Sequence, residues 1–311
     1  FFTEMGRCFW LKVYEIPEGD KTSKGRALQN MIQIPPDDKV RAIIDVKSLE
    51  DEDYVNNHYI VLCTKQGIIN KSRLKDFSRP RQNGINAITI KEGDQLLEAK
   101  LTDGNCEIMM AVKSGRAIRF PELKVRPTGR GGIGVAGIDV DDATDEVVGM
   151  VCVNVEDKTK TVLVVSANGY GKRTFLDDPE TGEANYRITN RGGKGVKTIS
   201  VTAKTGSLVG LLAVTEAEDL MITCVSGITI RMPVNQISEQ GRATQGVKLI
   251  RVDDGDEIAA ITQLDEKEVE ETVILDEEGN PIVAEALADE TTLEDTDTTK
   301  TEEPTEPSDN E

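Results

Sequence analysis

Cationic side chains grouped around glycines are the residues of this chain whose types and spacing could do chemistry. The clearest group lies within residues 187–199 and comprises Arg191, Gly192, Gly193, Lys194, Gly195 and Lys197. Glycines let a partner approach the backbone closely, and a basic turn of this kind attracts the phosphates of a nucleic acid. A single glycine turn with neighbouring cations is usually only a solvated loop, so this group alone would be a weak indication.

The same basic glycine turn recurs five times, and each copy precedes a predicted strand. Its cations are Lys24 and Arg26, Arg79 and Arg81, Arg126 and Arg130, then Arg191, Lys194 and Lys197, and finally Arg242 and Lys248. A second set of cations follows a recurring apolar strand that ends in glycine, and comprises Arg7, Lys12, Lys71, Arg73, Arg116, Arg119, Lys172, Arg173 and Arg231. Recurrence at equivalent positions turns a weak single motif into a strong prediction.

The recurring strand gives the length of the repeat. Its terminal glycines are Gly6, Gly67, Gly115, Gly169 and Gly227, so the unit has about 50–60 residues. Each unit holds about four short strands between turns rich in Gly, Pro and Asp, and no convincing helix. This pattern predicts an all-β propeller in which stacked blades hide one another's edges. A β-sandwich with coincidental turns is the alternative, and the five-fold recurrence disfavours it.

Equivalent turns in a ring of blades should lie around one rim. Their cations would then form a continuous positive belt, although the body as a whole is nearly neutral. Phosphates on such a belt are contacted without regard to base sequence. We therefore predict a surface that binds DNA independently of sequence, even though any one of these cations alone is more often a solvated charge.

The acidity of the chain is confined to its end. The formal net charge is −19, yet residues 1–250 hold 34 basic and 33 acidic side chains, whereas residues 251–311 hold 3 and 23. We predict a propeller domain over residues 1–264 and an acidic disordered tail over residues 265–311. The end of the tail consists of Thr, Glu, Asp and Pro, which bury too little apolar surface to offset the entropy of ordering. A possible strand or helical turn lies at residues 273–275.

Catalytic and metal-binding chemistry is not indicated. His58 is the only histidine, no cysteines are spaced as CxxC, and the five scattered cysteines favour buried thiols in a reducing cytoplasm. Residues 132–137 satisfy GxGxxG, but no helix is predicted after them, so a dinucleotide site is rejected. Residues 169–174 lack the P-loop spacing. No apolar run approaches the roughly 18 residues of a membrane span, and Phe1 within a predicted strand indicates a fragment of a longer polypeptide.

Three stretches resemble the C-terminal domain family of bacterial DNA gyrase A. They are residues 9–17 (FWLKVYEIP), 168–174 (NGYGKRT) and 241–247 (GRATQGV). The resemblance covers nearly all of residues 1–264 and implies a six-bladed β-pinwheel, a propeller variant whose blades exchange strands, with the first blade truncated here. The family's signature box, QRRGGKG, would lie upstream. Residues 189–195 (TNRGGKG) resemble the box in a later blade but lack the glutamine and one arginine.

The function that this resemblance implies is DNA wrapping. The domain would bind, bend and wrap duplex DNA around its basic rim, so that the holoenzyme introduces negative supercoils with ATP. The implied partners are double-stranded DNA, the rest of gyrase A and the gyrase B protein, in a heterotetramer of the bacterial cytoplasm associated with the nucleoid and not with a membrane. The DNA-cleaving tyrosine and the ATPase belong to other parts of that enzyme. No catalytic residue, metal or cofactor is therefore expected in this chain, and ATP and Mg²⁺ would be used elsewhere.

Two other interpretations remain open. The corresponding domain of topoisomerase IV resembles this chain, but it has fewer blades and degenerate boxes and guides DNA without wrapping it. Five visible repeats with one more cut off favour gyrase. A propeller that binds proteins is the alternative from a different class, and a steep dependence of duplex binding on salt would separate it from a DNA-wrapping domain.

Truncation after Leu264 tests whether the tail regulates the belt. A flexible carboxylate-rich segment tethered near a basic surface competes with phosphates at high local concentration. Removal of residues 265–311 should therefore raise duplex affinity several-fold at low salt, as measured by fluorescence anisotropy. Equal affinity with and without the tail would leave the alternative, in which the tail only aids solubility.

Overall fold

The structure of the chain, a computed structural model, describes residues 1–19, 23–140, 144–253 and 255–264, with strand residues 274–275 and 281–282. The chain divides into two units, Phe1–Glu266 and Lys267–Glu311. In chain order the strands of the first unit are β1 (Phe2–Thr3), β2 (Arg7–Cys8), β3 (Val40–Ala42), β4 (Tyr59–Thr64), β5 (Ile68–Arg73), β6 (Ile85–Asn86), β7 (Leu96–Thr102), β8 (Cys106–Val112), β9 (Arg116–Pro121), β10 (Val135–Ala136), β11 (Val147–Asn154), β12 (Thr161–Ser166), β13 (Tyr170–Phe175), β14 (Val196–Lys197), β15 (Leu208–Val214), β16 (Asp219–Cys224), β17 (Thr229–Pro233), β18 (Val247–Lys248) and β19 (Ile258–Leu264).

Helices in the described ranges are short. The α-helix α1, Glu52–Asn57, begins after Asp51, whose carboxylate accepts the backbone N–H groups of Asp53 and Tyr54. The sequence does not predict α1, because six residues are too few for a helical repeat of apolar positions. Single 3₁₀ turns lie at Val13–Glu15, Leu28–Asn30, Leu74–Phe77, Glu122–Lys124 and Val234–Gln236. None of the helices described is long and apolar enough to cross a membrane.

The strands of the first unit form five antiparallel blades. In spatial order blade 1 is β3-β1-β2-β6, blade 2 is β7-β4-β5-β10, blade 3 is β11-β8-β9-β14, blade 4 is β15-β12-β13-β18 and blade 5 is β19-β16-β17. The prediction of an all-β protein built from repeated blades is confirmed. The prediction of a truncated opening blade is wrong, because blade 1 has four strands and the three-stranded blade of the described chain is blade 5.

The outermost strand of blades 1 to 4 comes from a later part of the chain. In blade 2, for example, β10 pairs with β5 through Val135 opposite Ile69 and Ala136 opposite Ile68. The equivalent pairs are β6 with β2, β14 with β9 and β18 with β13. Each donated strand follows the basic residues of a turn, and its two residues pair with the hairpin of the preceding blade. This is the strand exchange that the family resemblance implies.

In blades 1 to 4 the glycine at the tip of the hairpin joins one blade to the next. The carbonyl oxygen of Gly67 accepts the N–H groups of Gly137 (2.8 Å) and Ile138 (3.3 Å), which directly follow the donated strand β10. Gly67 has φ +79°, and a Cβ there would lie 2.5 Å from the carbonyl oxygen of Ile138. The same pair of hydrogen bonds is made by the carbonyls of Gly6, Gly115 and Gly169. The glycine that marks the repeat in the sequence therefore lies at the contact between two consecutive blades, which we call a joint.

An aspartate from the acidic turn of the repeat closes the hairpin. Asp145 accepts the N–H (2.9 Å) and the hydroxyl (2.6 Å) of Ser114, and Asp256 does the same for Ser226. The hydrogen bond from the Ser226 hydroxyl lowers the pKa of Asp256 below its ordinary value. In blades 1 and 2 the acceptors are Asp38 and Asp94. The acidic turns thus fix hairpin geometry.

The apolar core is divided among the joints, and not among the blades. Val162 and Val164 of β12 pack with residues of blade 3, whereas Leu163 and Val165 pack with residues of blade 5. Because both faces of the strand are buried, its sequence is a continuous apolar run without alternation. Each such side chain contributes about 1.5–3 kcal/mol by leaving water. A blade therefore depends on both neighbours for its stability.

The innermost strands surround a central cavity. β11 contacts β7 and β15, and β15 contacts β19. The cavity has a volume of about 510 Å³, and its lining includes Lys65, Lys113 and Glu146. The amine of Lys65 lies 3.4 Å from the Glu146 carboxylate. These lysines therefore lie at the axis of the blades, beside strands that are remote from the donated ones.

The second unit contains one described strand pair. β20 (Ile274–Leu275) is antiparallel to β21 (Pro281–Ile282), with Ile274 opposite Ile282. The possible strand at residues 273–275 is thus present, as β20, inside the range predicted to be a disordered tail. Residues 281–282 of this range form β21, and the prediction of disorder for its remaining residues lies outside the described residues.

Substitution of a joint glycine should destabilise the first unit. Gly67→Ala should lower the free energy of unfolding by about 2–4 kcal/mol, because the left-handed conformation costs roughly 1–2 kcal/mol and the added methyl forces the joint apart. Gly227→Ala is the matched control, since Gly227 has φ +90° but no atom within 4 Å of the added Cβ, so only the conformational cost should remain. Urea unfolding measures both, and equal losses would contradict the role of the joint.

Candidate nucleic-acid interface

The recurring basic segments lie side by side. We call them turn 1 (24–34), turn 2 (79–89), turn 3 (126–139), turn 4 (187–200) and turn 5 (239–250). A backbone N–H near the end of each of turns 2, 3 and 4 donates to a carbonyl oxygen of the following turn. The pairs are Thr89 to Gly132 (3.1 Å), Asp139 to Gly193 (3.0 Å) and Ser200 to Thr244 (3.0 Å). Turns 2 to 5 therefore form one continuous arc in chain order.

Turn arginines strengthen this arc. Arg191 of turn 4 donates from Nη1 to the carbonyl of Ala136 in turn 3 (3.1 Å), and Arg242 of turn 5 donates to the carbonyl of Lys197 in turn 4 (3.2 Å). Both side chains are half-buried. A guanidinium has five N–H donors in a planar fork, so an arginine held in this way can still offer donors to a phosphate.

Most of the predicted contact residues are accessible. The exposed ones are Lys24, Arg26, Arg73, Arg79, Arg81, Arg126, Arg130, Lys194, Lys197 and Arg231. The half-buried ones are Arg116, Arg191 and Arg242. Turn 1, which carries Lys24 and Arg26, packs through Ile32 and Ile34 against Phe9. The hydrogen-bonded links given above join turns 2 to 5, so the arc is established for those four turns.

The glycines of turn 4 serve the fold first. Gly195 has φ +73°, and a Cβ there would overlap the carbonyl of Ala117 in the strand that β14 joins. The N–H of Gly192 donates to the carbonyl of Gly137 (2.6 Å). Gly193 is exposed, and a Cβ there would meet only a methyl group of Ile118 at 3.6 Å. Gly192 and Gly195 thus allow the backbone of turn 4 to approach the neighbouring blade closely. A close approach of a phosphate to these glycines stays a prediction.

Four cations predicted to contact DNA are buried, which corrects the sequence analysis. They are Lys71, Arg119, Lys172 and Arg173, each at most 3% exposed. A buried charge is costly unless it is paired or hydrogen-bonded, and each of these side chains is engaged inside a joint. Lys71 Nζ lies 2.6 Å from Oε1 of the fully buried Glu122 in the next blade. These side chains cannot reach a phosphate on the surface in this structure.

The guanidinium of Arg119 bridges blades 3 and 4. Its Nε donates to Glu107 on the adjacent strand (2.6 Å), and its Nη1 and Nη2 donate to the two carboxylate oxygens of Asp177 (2.5 and 2.9 Å). It also donates to the carbonyl of Tyr186 (3.0 Å). The hydrogen bond from Arg119 lowers the pKa of Asp177. Because all these acceptors lie within one joint, Arg119 holds two blades together.

Arg173 and Arg231 occupy the equivalent place in blades 4 and 5. Arg173 donates to the carbonyl of Ile237 (2.8 Å) and lies 3.1 Å from Glu216 and 3.4 Å from Glu239. Arg231 is exposed on β17 and lies 2.6 Å from Asp219 of its own blade. The prediction from the sequence does not include the acidic residues that pair with the cations at the joints. Their recurrence just after the second hairpin strand, at Glu122 and Asp177, is the signal that could have revealed them.

One grouping within the described part of the chain could present three metal-ligating atoms. Asp103, Cys106 and Glu122 hold theirs within 4.8 Å of one another. The Glu122 carboxylate already accepts the Thr102 hydroxyl (2.7 Å) and pairs with Lys71. Burial raises the pKa of the Cys106 thiol to about 12. A neutral thiol is a poor ligand, so these residues do not favour a metal.

Comparisons with known proteins agree with this architecture. The chain matches the family described as DNA gyrase C-terminal domain, beta-propeller, over residues 1–47, 58–103, 107–154, 160–178, 181–215 and 218–265. DNA gyrase A of Staphylococcus aureus strain MRSA252 is 40% identical over 296 residues, which are 94% of this chain and 32% of the relative. The protein of strain NCTC 8325 is 42% identical over 272 residues, 88% of this chain and 29% of the relative. The chain thus spans about a third of these relatives.

Solved structures support the same fold. The DNA gyrase A C-terminal domain superposes with a TM-score of 0.68 at 23% identity, covering 85% of this chain and 80% of that one. The C-terminal domain of DNA topoisomerase IV gives 0.73 at 21% identity, covering 84% and 77%. Identities this low establish the fold alone. The sequence relatives described above are gyrase proteins, so gyrase is better supported than topoisomerase IV. The chain belongs to the DNA gyrase C-terminal domain family.

Proposed function

We propose that this chain binds duplex DNA along the arc of turns 2 to 5, and that it bends and wraps the duplex without reading its sequence. The observation that carries the proposal is the chain of hydrogen bonds from turn to turn, which brings cations of four repeats to one continuous surface. Arg81, Arg130, Lys194 and Arg242 are contributed by successive turns. Phosphate contacts from side chains of this kind position a duplex and carry no base information.

The number of contacts decides how far the duplex can be bent. A smooth bend of 40–90° over 20–30 base pairs costs about 1–6 kcal/mol. A charge-assisted hydrogen bond contributes on the order of 1.5–3 kcal/mol. Two or three such contacts from one turn give about 3–9 kcal/mol, which is comparable to the cost of one such bend and leaves little for net binding. The arc supports bending because four turns act on the same duplex.

In the whole protein this surface would serve supercoiling. The chain is about a third of its gyrase A relatives in length, and we propose that the remainder of gyrase A and the gyrase B protein supply DNA cleavage and ATP hydrolysis with Mg²⁺. The wrapped segment would bias the direction of strand passage, so that the heterotetramer introduces negative supercoils in the bacterial cytoplasm, at the nucleoid.

We also propose that the whole protein has six blades. β17 of blade 5 carries exposed Ile230 and Arg231 and receives no donated strand from the described residues. Gly227 is the hairpin glycine of this blade, and the space that a neighbour fills at Gly67 is open there. Arg231 has its own-blade acid, Asp219, but the described residues show it no acid from a further blade. These features support a sixth blade against β17.

Loss of two cations from turn 4 should weaken binding without abolishing it. Arg191→Ala with Lys194→Ala should lower duplex affinity roughly tenfold to hundredfold and reduce the log–log salt slope by about 2, because two phosphate contacts are lost. Fluorescence anisotropy over a salt series measures both. Lys65→Ala with Lys113→Ala is the matched control, since it removes the same charge from the central cavity and should change the slope little.

The same double variant separates distributed binding from a single site. Resealing a nicked circle bound to the protein should yield a linking-number change, and the variant should reduce that change. Complete loss of affinity from this one pair would contradict an arc of several turns. Duplex binding that does not depend on salt would contradict the proposed function itself.

Hydrogen exchange tests the sixth blade. Those backbone amides of residues 228–231 that do not face the paired strand β16 should exchange fast in the 311-residue chain and slowly in the whole protein, because a donated strand would then cover that side of β17. The amides of β13, which already pairs with β18, should be protected in both. Fast exchange of those amides of residues 228–231 in both proteins would rule out a blade at this edge.

A further inference from the structure

A buried lysine holds turn 5 from beneath. Lys172 of β13 is fully buried, and its Nζ donates to the carbonyl of Gly241 (2.6 Å) and the hydroxyl of Thr244 (3.1 Å). The carbonyl of Thr244 in turn accepts the N–H of Ser200, which links turn 5 to turn 4. The amine of Lys172 therefore fixes the turn at the end of the arc, and it does so through two neutral oxygen atoms.

Among the described residues, the charged groups that act on this amine are of its own sign. Arg242 of turn 5 and Lys197 of β14 are the charged groups that act on Lys172, and the guanidinium of Arg242 is held on the carbonyl of Lys197 (3.2 Å). Glu239, in the same turn, is paired with Arg173. The other buried joint cations, Lys71, Arg119 and Arg173, each have a carboxylate. Lys172 is the exception, in a group of three cations.

This environment destabilises the protonated amine. Burial, and then the positive charges of Arg242 and Lys197, lower the pKa of Lys172 from 10.5 to about 8. The Tyr186 hydroxyl near these cations does not supply a negative charge. It is hydrogen-bonded to the Thr198 hydroxyl (2.6 Å), and burial raises the pKa of Tyr186 above its ordinary value. An anion bound beside Arg242 and Lys197 would reverse the effect of the like charges.

We propose that turn 5 takes one DNA phosphate at Arg242 and Lys197, and that Lys172 takes up a proton from the solvent as this phosphate binds. The proposal rests on the proposed function and adds to it a defined phosphate position and a linked proton. Lys172 is a positioning residue, because it is buried and acts on the phosphate through the turn and through its charge. A singly charged phosphodiester is the fitting ligand, because it compensates the group without needing to enter the interior.

The direction in which pH changes DNA affinity follows because the DNA-bound protein holds more protons than the free protein. Below about pH 7 Lys172 is protonated with or without DNA, so its proton does not affect affinity. Above about pH 8 the free protein loses the proton and the complex retains it, so affinity falls by up to about tenfold for each pH unit. We therefore expect duplex affinity to drop roughly five- to tenfold between about pH 7 and pH 9.

The experiment is duplex binding by the full chain from about pH 6.5 to pH 9 at constant ionic strength. Lys172→Met should remove most of the pH dependence in this interval. Lys172→Arg should remove it too, because a guanidinium stays charged throughout, and it retains donors for turn 5 should the methionine variant fold poorly. Lys248→Met, in the neighbouring strand β18, is the matched control and should lower affinity equally at every pH. Calorimetry in buffers of different ionisation enthalpy should show proton uptake at about pH 8 in the unmodified chain, and none in the two Lys172 variants.

The outcomes distinguish this inference from the function on which it rests. Absence of salt-dependent duplex binding at any pH would overturn the proposed function. Salt-dependent binding with the same pH profile in the unmodified chain, Lys172→Met and Lys172→Arg would leave that function intact and overturn the proton linkage. A pH profile that is flattened by both Lys172 variants and kept by Lys248→Met would support it.

Discussion

The two hydrogen bonds that the hairpin glycine of each of blades 1 to 4 accepts from the neighbouring chain segment fix the arrangement of the first unit. They hold the donated strand in register, and the apolar residues on either side of it complete a core that neither blade could form alone. In turns 2 to 5 the donated strand follows the glycine-rich basic residues, so the same bonds determine the positions of those cations. The surface and the core are therefore set by one contact, made four times among the described residues.

Cations from one sequence pattern have two different fates in this structure. Arg116 and Arg119 lie three residues apart on β9, yet Arg116 is half-buried beside turn 4 and Arg119 is enclosed between two blades. The carboxylates of Glu107 and Asp177 offset the cost of that enclosure, since an unpaired charge there would be strongly destabilising. The same sequence pattern thus places positive charge both between the blades and at the turns.

The blades and the repeat could be predicted from the sequence, because the patterns that indicate them are local. A hairpin needs only its two strands and the glycine between them, so Gly67 and its equivalents reveal both the blade and the repeat. The fate of Arg119 depends on Asp177, 58 residues away, and no local pattern contains that distance. The same holds for β10, whose partner β5 lies far earlier in the chain, and for the number of blades, which depends on what meets β17. Pairing between residues far apart in the chain therefore could not be predicted from local patterns.

The backward donation of strands also makes the arc modular. Every joint uses the same bonds, so one repeat could be gained or lost between two joints without altering the chemistry of either. Under the proposed function, the length of duplex that the arc contacts would then change in whole steps of one blade, and never by a fraction. Selection on the length of the bound duplex would then act through the copy number of a single unit of about 55 residues.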